Sequence, residues 1–278
     1  MHMRLLLICL VLALSACVTT QVPPSQIPSS QDTSFRWVPA HVAAPAALLQ
    51  VPLERGSELP IWWMPHDAAL ATLVLFPGGH GVLGYDAMAN APLSPNFLIR
   101  SRELFHKAGF NVAIVGKARD RTELGLASRK SAEHSRDIRA ALLRLKELAP
   151  KDLWLVGTSN GTVSVANAAI ANADLVVGLV LTSSITKNEN NVQSLKLGNI
   201  RVPTLVLHHS RDGCRICPPG NARDILSGLN NAPRKELIFI SGGSGASGDP
   251  CQPMHYHGFI NQEEETVVRI ASWIRDTY

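Results

Sequence analysis

The 278-residue chain has little charge for its length: Asp, Glu, Lys and Arg make up 17% of it and the formal net charge at pH 7 is only +4. The basic residues are scattered, with no run of them. That distribution speaks against nucleic-acid binding, which needs a concentrated cationic patch. Beyond the first twenty residues no apolar stretch approaches the length needed to span a bilayer of about 30 Å. No unit recurs at a fixed period, which argues against a solenoid or propeller. Cysteines are few, five in all, and they include one C-x-x-C pair, Cys214 and Cys217, with no second pair to complete a zinc ribbon.

What is present starts with "MHMRLLLICLVLALSAC", one positive charge followed by a short apolar run, which reads as a secretory signal. Leu14, Ser15, Ala16 and Cys17 resemble the bacterial lipobox, so residues 1–16 are expected to be a cleaved lipoprotein signal and Cys17 the lipidated first residue. An ordinary signal peptide cleaved near Ala16, with Cys17 incidental, is the alternative. Residues 17–34 are rich in Pro, Ser, Thr and Gln and read as a tether without a core. Val18 stands where an aspartate would suggest inner-membrane retention, so the resemblance implies an outer-membrane anchor facing the periplasm. The mature protein would then meet a membrane only through its lipid.

Residues 35–278 are enough for one α/β domain with a substantial core. Strand-like and helix-like runs alternate along them, the pattern of a mostly parallel sheet covered on both faces. "ALLQVPL" and "LPIWWM" read as early strands forming a hairpin, and "ATLVLF" ends abruptly at "PGGHG". A helix is expected across "NFLIRSRELFHKAGF", followed by the strand "NVAIVG", a helix over 131–148 and the strand "LWLV". After a helix following Ser159 come the strands "LVVGLVLTS", "VPTLVLHH" and "ELIFI", with a short helix near "ARDILSGL" before the last of them. A final helix lies in "EEETVVRIASWIRDTY".

Gly157, Thr158, Ser159, Asn160 and Gly161 form a Gly-x-Ser-x-Gly sequence between a strand and a helix. A turn that sharp strains the serine backbone and lifts its hydroxyl off the sheet edge, while the flanking glycines allow strand and helix to pack closely. A Gly-rich turn carrying a solvated serine is the bland alternative. A serine hydroxyl needs a base and a group that orients the base before it becomes a nucleophile. Asp212, in "SRDGC" after a late strand, is the favoured acid, with Asp224 and Asp249 as substitutes. His257, just before Gly258 and the last helix, is the favoured base over His255. Of His208 and His209, at least one is expected to be a hydrogen-bonding neighbour of the site. Oxyanion donors are expected from the backbone of Asn160 and from the "PGGHG" loop, Gly79 ahead of His80.

Taken in chain order, "PGGHG", "GTSNG", Asp212 and His257 resemble the α/β-hydrolase superfamily over essentially all of residues 45–278. The resemblance implies an α/β-hydrolase fold: a mainly parallel eight-stranded sheet with helices on both faces. It also implies acyl transfer to water through an acyl-enzyme, with a small-molecule acyl substrate and no cofactor. Residues 183–201 fill the place where many members carry a cap, so no large cap domain is expected. The layout is similar to dienelactone-hydrolase-like proteins, although those commonly have cysteine where this chain has Ser159.

His208, His209, Asp212, Cys214, Cys217, Cys251, His255 and His257 are residue types that bind zinc when they converge. An exported protein, however, meets an oxidising compartment. A Cys214–Cys251 disulfide joining the acid loop to the histidine loop is therefore favoured, with no metal; Cys217–Cys251 and Cys214–Cys217 remain alternative pairings. Two functions follow: a lipid-anchored serine hydrolase acting on a carboxylic ester or related acyl bond, or a non-catalytic binding or structural lipoprotein on the same scaffold.

Overall fold

A computed structural model describes Phe35, Trp37 and residues 44–278. The expected signal, tether and lipidated Cys17 lie outside the described residues.

The main sheet contains β1 (Ala47–Pro52), β2 (Glu58–Met64), β3 (Thr72–Phe76), β6 (Asn111–Val115), β7 (Leu153–Thr158), β8 (Val176–Thr182), β9 (Thr204–His209) and β10 (Lys235–Ile240). Their spatial order is β1-β2-β6-β3-β7-β8-β9-β10. Only the pairings that involve β2 are antiparallel, so β1 and β2 form the expected hairpin and every other neighbour runs parallel. A separate two-stranded ribbon, β4 (Tyr85–Asp86) with β5 (Ala91–Pro92), interrupts the loop after β3, strands too short for periodicity to mark.

The central strands are apolar along their whole length because both of their faces are covered. In β3, Val74 and Phe76 belong to one core while Leu73 and Leu75 belong to the other, the period-2 alternation of a pleated strand. The first core is closed by α4 (Ala132–Leu148), α5 (Gly161–Ala171) and α6 (Ala222–Gly228); the second by α1 (Phe97–Arg100), α2 (Arg102–Lys107) and α7 (Glu263–Arg275). In α4 the buried residues Ile138, Ala141, Leu142 and Leu145 fall on one helical stripe, and the Ser131 side chain caps the helix by accepting from the His134 amide. A short helix, α3 (Leu126–Arg129), precedes it.

One expectation needs correcting. The helix read across "NFLIRSRELFHKAGF" is two, broken at the fully buried Ser101, whose ψ of 5° leaves the helical range. Apolar periodicity continues through the break, which is why it was invisible. Between β8 and β9 the chain makes only two 3₁₀ turns, at Val192–Ser194 and Leu197–Asn199, so no cap domain stands there.

The chain leaves β3 toward β6 on one side and, from β7 onward, builds β8, β9 and β10 on the other. This switch of direction opens a crevice at the carboxyl ends of β3 and β7. Loops leaving β3, β7, β9 and β10 all emerge at that edge.

Candidate active site

Ser159 follows the last residue of β7 and precedes α5. Its φ of +53° lies in the left-handed region, a conformation that costs a non-glycine residue on the order of 1–3 kcal/mol and persists only where the surroundings impose it. They do so here. The Ser159 amide donates to the Thr182 carbonyl of β8 at 3.0 Å, and its own carbonyl accepts from the Thr162 hydroxyl at 2.6 Å and the Thr162 amide at 2.9 Å. The flanking glycines are required by space. A Cβ on Gly161 would sit 2.0 Å from the Phe76 carbonyl oxygen, and one on Gly157 2.6 Å from the Gly161 oxygen. The Gly-x-Ser-x-Gly spacing thus lets α5 press against β3 and β7.

Asp212 lies three residues past the end of β9, with its amide donating to the His209 carbonyl at 3.0 Å. Its carboxylate is fully buried: Oδ1 accepts from the Cys214 amide at 2.8 Å, and Oδ2 lies 2.8 Å from His257 Nδ1. With Nδ1–H donating to this carboxylate, the Nε2 lone pair of His257 is left as the proton acceptor. His257 sits in a single 3₁₀ turn, Tyr256–Gly258. Its carbonyl accepts from the Ser183 hydroxyl at 2.8 Å. Gly258 lets the turn close, since a Cβ there would be 1.9 Å from the Pro253 oxygen.

Ser159, Asn160, Gly79 and His257 line one open cleft of about 410 Å³, whose wall also includes Cys214 and Cys251. Among the described residues the amides of Gly79 and Asn160 donate to no protein acceptor, and the Asn160 side chain donates to the Gly79 carbonyl at 3.0 Å, joining the two segments. His80 lies at the mouth, exposed, 3.5 Å from Glu123.

The other candidates are elsewhere. Asp224 is in the first turn of α6. Asp249 accepts from the Cys251 amide at 2.7 Å, an exposed contact within its own loop. His255 packs edge-on to Tyr256. His208 accepts from the Ser184 amide at 3.0 Å, with burial lowering its pKa to about 4, so it supports the site as a neutral ring. His209 contacts the Gly242 carbonyl at 3.2 Å and is also lowered by burial.

Cys214 and Cys251 form a disulfide with a 37-residue separation, tying the acid loop to the histidine loop. Cys217, the free cysteine among the described residues, is buried beside Cys214 and His257, and burial raises its pKa well above the usual thiol value. One ligand atom each of Cys214, Cys217 and His257 lie within 4.8 Å of one another. Cys214 is spent in the disulfide and has no thiolate to offer zinc, so this group does not make a metal site as it stands. Ser159 makes no hydrogen bond to His257 among the described contacts; such catalytic hydrogen bonds are often long or unformed in ligand-free sites.

No family model matches the sequence, and no curated protein does. Solved structures do match. An esterase from Pyrococcus furiosus superposes with a TM-score of 0.59 at 15% identity, over 86% of this chain and 98% of its own. A dienelactone hydrolase from Anabaena variabilis gives 0.59 at 15% identity over 84% and 97%. A lidless α/β serine hydrolase from Xanthomonas campestris gives 0.52 at 18% identity over 84% and 98%. The shared fold is that of the α/β hydrolases.

Proposed function

We propose that this chain, built on the α/β-hydrolase fold, is a serine hydrolase that cleaves a carboxylic ester or related acyl bond. The observation that carries the reading is the buried 2.8 Å contact between Asp212 and His257, placed in the same cleft as a serine held at φ +53° on a glycine-flanked turn. In this reading Ser159 Oγ attacks the substrate carbonyl and passes its proton to His257 Nε2. Asp212 holds the ring in the receptive tautomer and stabilises the imidazolium that forms. The free amides of Gly79 and Asn160 receive the developing oxyanion, an interaction whose loss costs about 10²–10³ in kcat at comparable sites. The departing alcohol takes the proton from His257, and water then repeats the sequence on the acyl-enzyme. Among the described residues no Asp, Glu, Lys or Arg lines the cleft, which favours a neutral ester. The lipobox-like residues extend the reading to an outer-membrane lipoprotein anchored through Cys17 and facing the periplasm.

A fluorophosphonate probe tests the chemistry. The wild-type chain is expected to be labelled and Ser159→Ala is not, with kcat on p-nitrophenyl esters falling by about 10³-fold or more in that variant. An unlabelled, inactive but folded wild type would leave the scaffold as a binding module. Mass spectrometry of the mature N-terminus tests the anchor, which requires a modified Cys17.

A further inference from the structure

Arg129 ends α3 and is 1% exposed, yet among the described residues no carboxylate pairs with it. A guanidinium removed from water without an ion partner costs several kcal/mol. Burial lowers its pKa to about 9, so it remains charged at neutral pH. A leucine or methionine would fill such a position at lower cost, and the arginine's contacts indicate what the charge does.

One terminal nitrogen donates to the carbonyls of Pro77 at 3.3 Å and Gly79 at 3.2 Å; the other donates to Ser164 Oγ on α5 at 2.8 Å; Nε donates to the Leu124 carbonyl at 3.2 Å. Pro77 and Gly79 flank Gly78 in the loop after β3. A trans peptide points its carbonyl and its N–H in opposite directions. Each carbonyl drawn back to Arg129 therefore turns the amide of the next residue, Gly78 or His80, away from it. The intervening carbonyl, that of Gly78, accepts from the Gly81 amide at 3.1 Å. All three carbonyls of the loop are thus engaged, whereas among the described residues the amides of Gly78, Gly79 and His80 donate to no acceptor. The loop is also pressed against the nucleophile: a Cβ on Gly78 would lie 2.8 Å from Ser159 Cβ.

We propose that Arg129 is a positioning residue for oxyanion formation: by holding the carbonyls of residues 77 and 79, which belong to the peptides on either side of the one carrying the Gly79 amide, it fixes the loop that presents that amide to the cleft. The same guanidinium grips α5 through Ser164, fixing the donor loop to the helix that begins two residues after Ser159. Ser164 Oγ in turn contacts His134 Nε2 at 2.9 Å. Burial keeps that ring neutral, so it adds no second positive charge behind the guanidinium. The inference rests on the serine-hydrolase reading.

The test compares wild type, Arg129→Lys and Arg129→Met in thermal melts, in kcat and KM on p-nitrophenyl acetate, and in affinity for a trifluoromethyl ketone, which adds to the serine as an oxyanion. In folded Arg129→Met, kcat should fall about 100-fold, the scale of a lost oxyanion donor, with KM within about threefold and ketone affinity falling in parallel with kcat. Arg129→Lys, which keeps the charge but cannot span both carbonyls, should recover part of the loss, to about tenfold below wild type. A purely packing role would lower the melting temperature without coupling kcat to ketone affinity. If Arg129→Met does not fold, Arg129→Lys decides. An active wild type with kcat and ketone affinity preserved in the variant overturns this inference alone. A wild type that neither turns over the ester nor takes the fluorophosphonate label overturns the hydrolase reading and this one with it.

Discussion

Removing the Cys214–Cys251 disulfide should uncouple stability from catalysis in a measurable way. The bridge closes a 37-residue separation, for which the chain-entropy relation gives about 3.8 kcal/mol at 25 °C. For a domain of this size, each kcal/mol moves the melting temperature by about 2–4 °C, so the loss should be roughly 8–15 °C. The catalytic effect has a separate origin. Asp212 Oδ1 is held by the amide of Cys214, and Cys251 begins the segment that ends at His257. Without the bridge, the Asp212–His257 distance rests on the backbone contacts of Asp212 with residues 209 and 214 on one side and the Ser183 hydroxyl on the other. A displacement of about 1 Å at such a pair can cost 10²-fold, so kcat should fall between about 10- and 100-fold at a temperature where the protein is still folded. Both cysteines must be replaced, as Cys214→Ala with Cys251→Ala, because Cys217 lies close enough to Cys214 to become a substitute partner. Calorimetry and ester kinetics on the double variant supply both readings. A lowered melting temperature with wild-type kcat would show that the bridge stabilises the loops without setting the acid-to-base contact. An unchanged melting temperature would refute the entropic argument itself.

Asp212→Asn should keep the fold and lower kcat by about 10⁴-fold, because an amide selects the wrong tautomer, whereas His255→Ala should lose little; full activity in Asp212→Asn would remove Asp212 from the machinery. Gly161→Ala should fail to yield stable protein, since its Cβ would meet the Phe76 carbonyl at 2.0 Å, with backbone on both sides of the clash; a normal melting curve would contradict the packing described. Stability should decline in acid. Burial holds His134 near 3 and His208 near 4, both below the ordinary histidine value of 6.5, so the unfolded chain takes up protons that the folded one refuses. Their contribution is complete above pH 6.5 and is lost as pH falls toward 3–4, so urea midpoints should drop across that window, with a shallower slope in His208→Gln; a midpoint flat from pH 6.5 to 4 would disprove it.

Local sequence was enough for much of this protein. The apolar runs at 72–76, 111–115 and 153–158 mark strands buried on both faces, and the spacing of Gly157, Ser159 and Gly161 marks the elbow, because backbone sterics and periodicity act over a few residues. Chain order likewise places Asp212 and His257 after the elbow. Only the tertiary structure shows that Asp212 and His257 are the pair in contact, since loops that leave different strands meet only when the strand order is set. The break at Ser101 and the ribbon at 85–92 also escaped, having no signature in periodicity. Nor could local sequence bring Cys217 to His257, or show that the arginine at 129 reaches two carbonyls some fifty residues earlier in the chain. The physical reason is the same in each case: such contacts depend on how α3, β3, α5 and the loop after β9 pack around one sheet edge, and no short stretch of residues encodes that meeting.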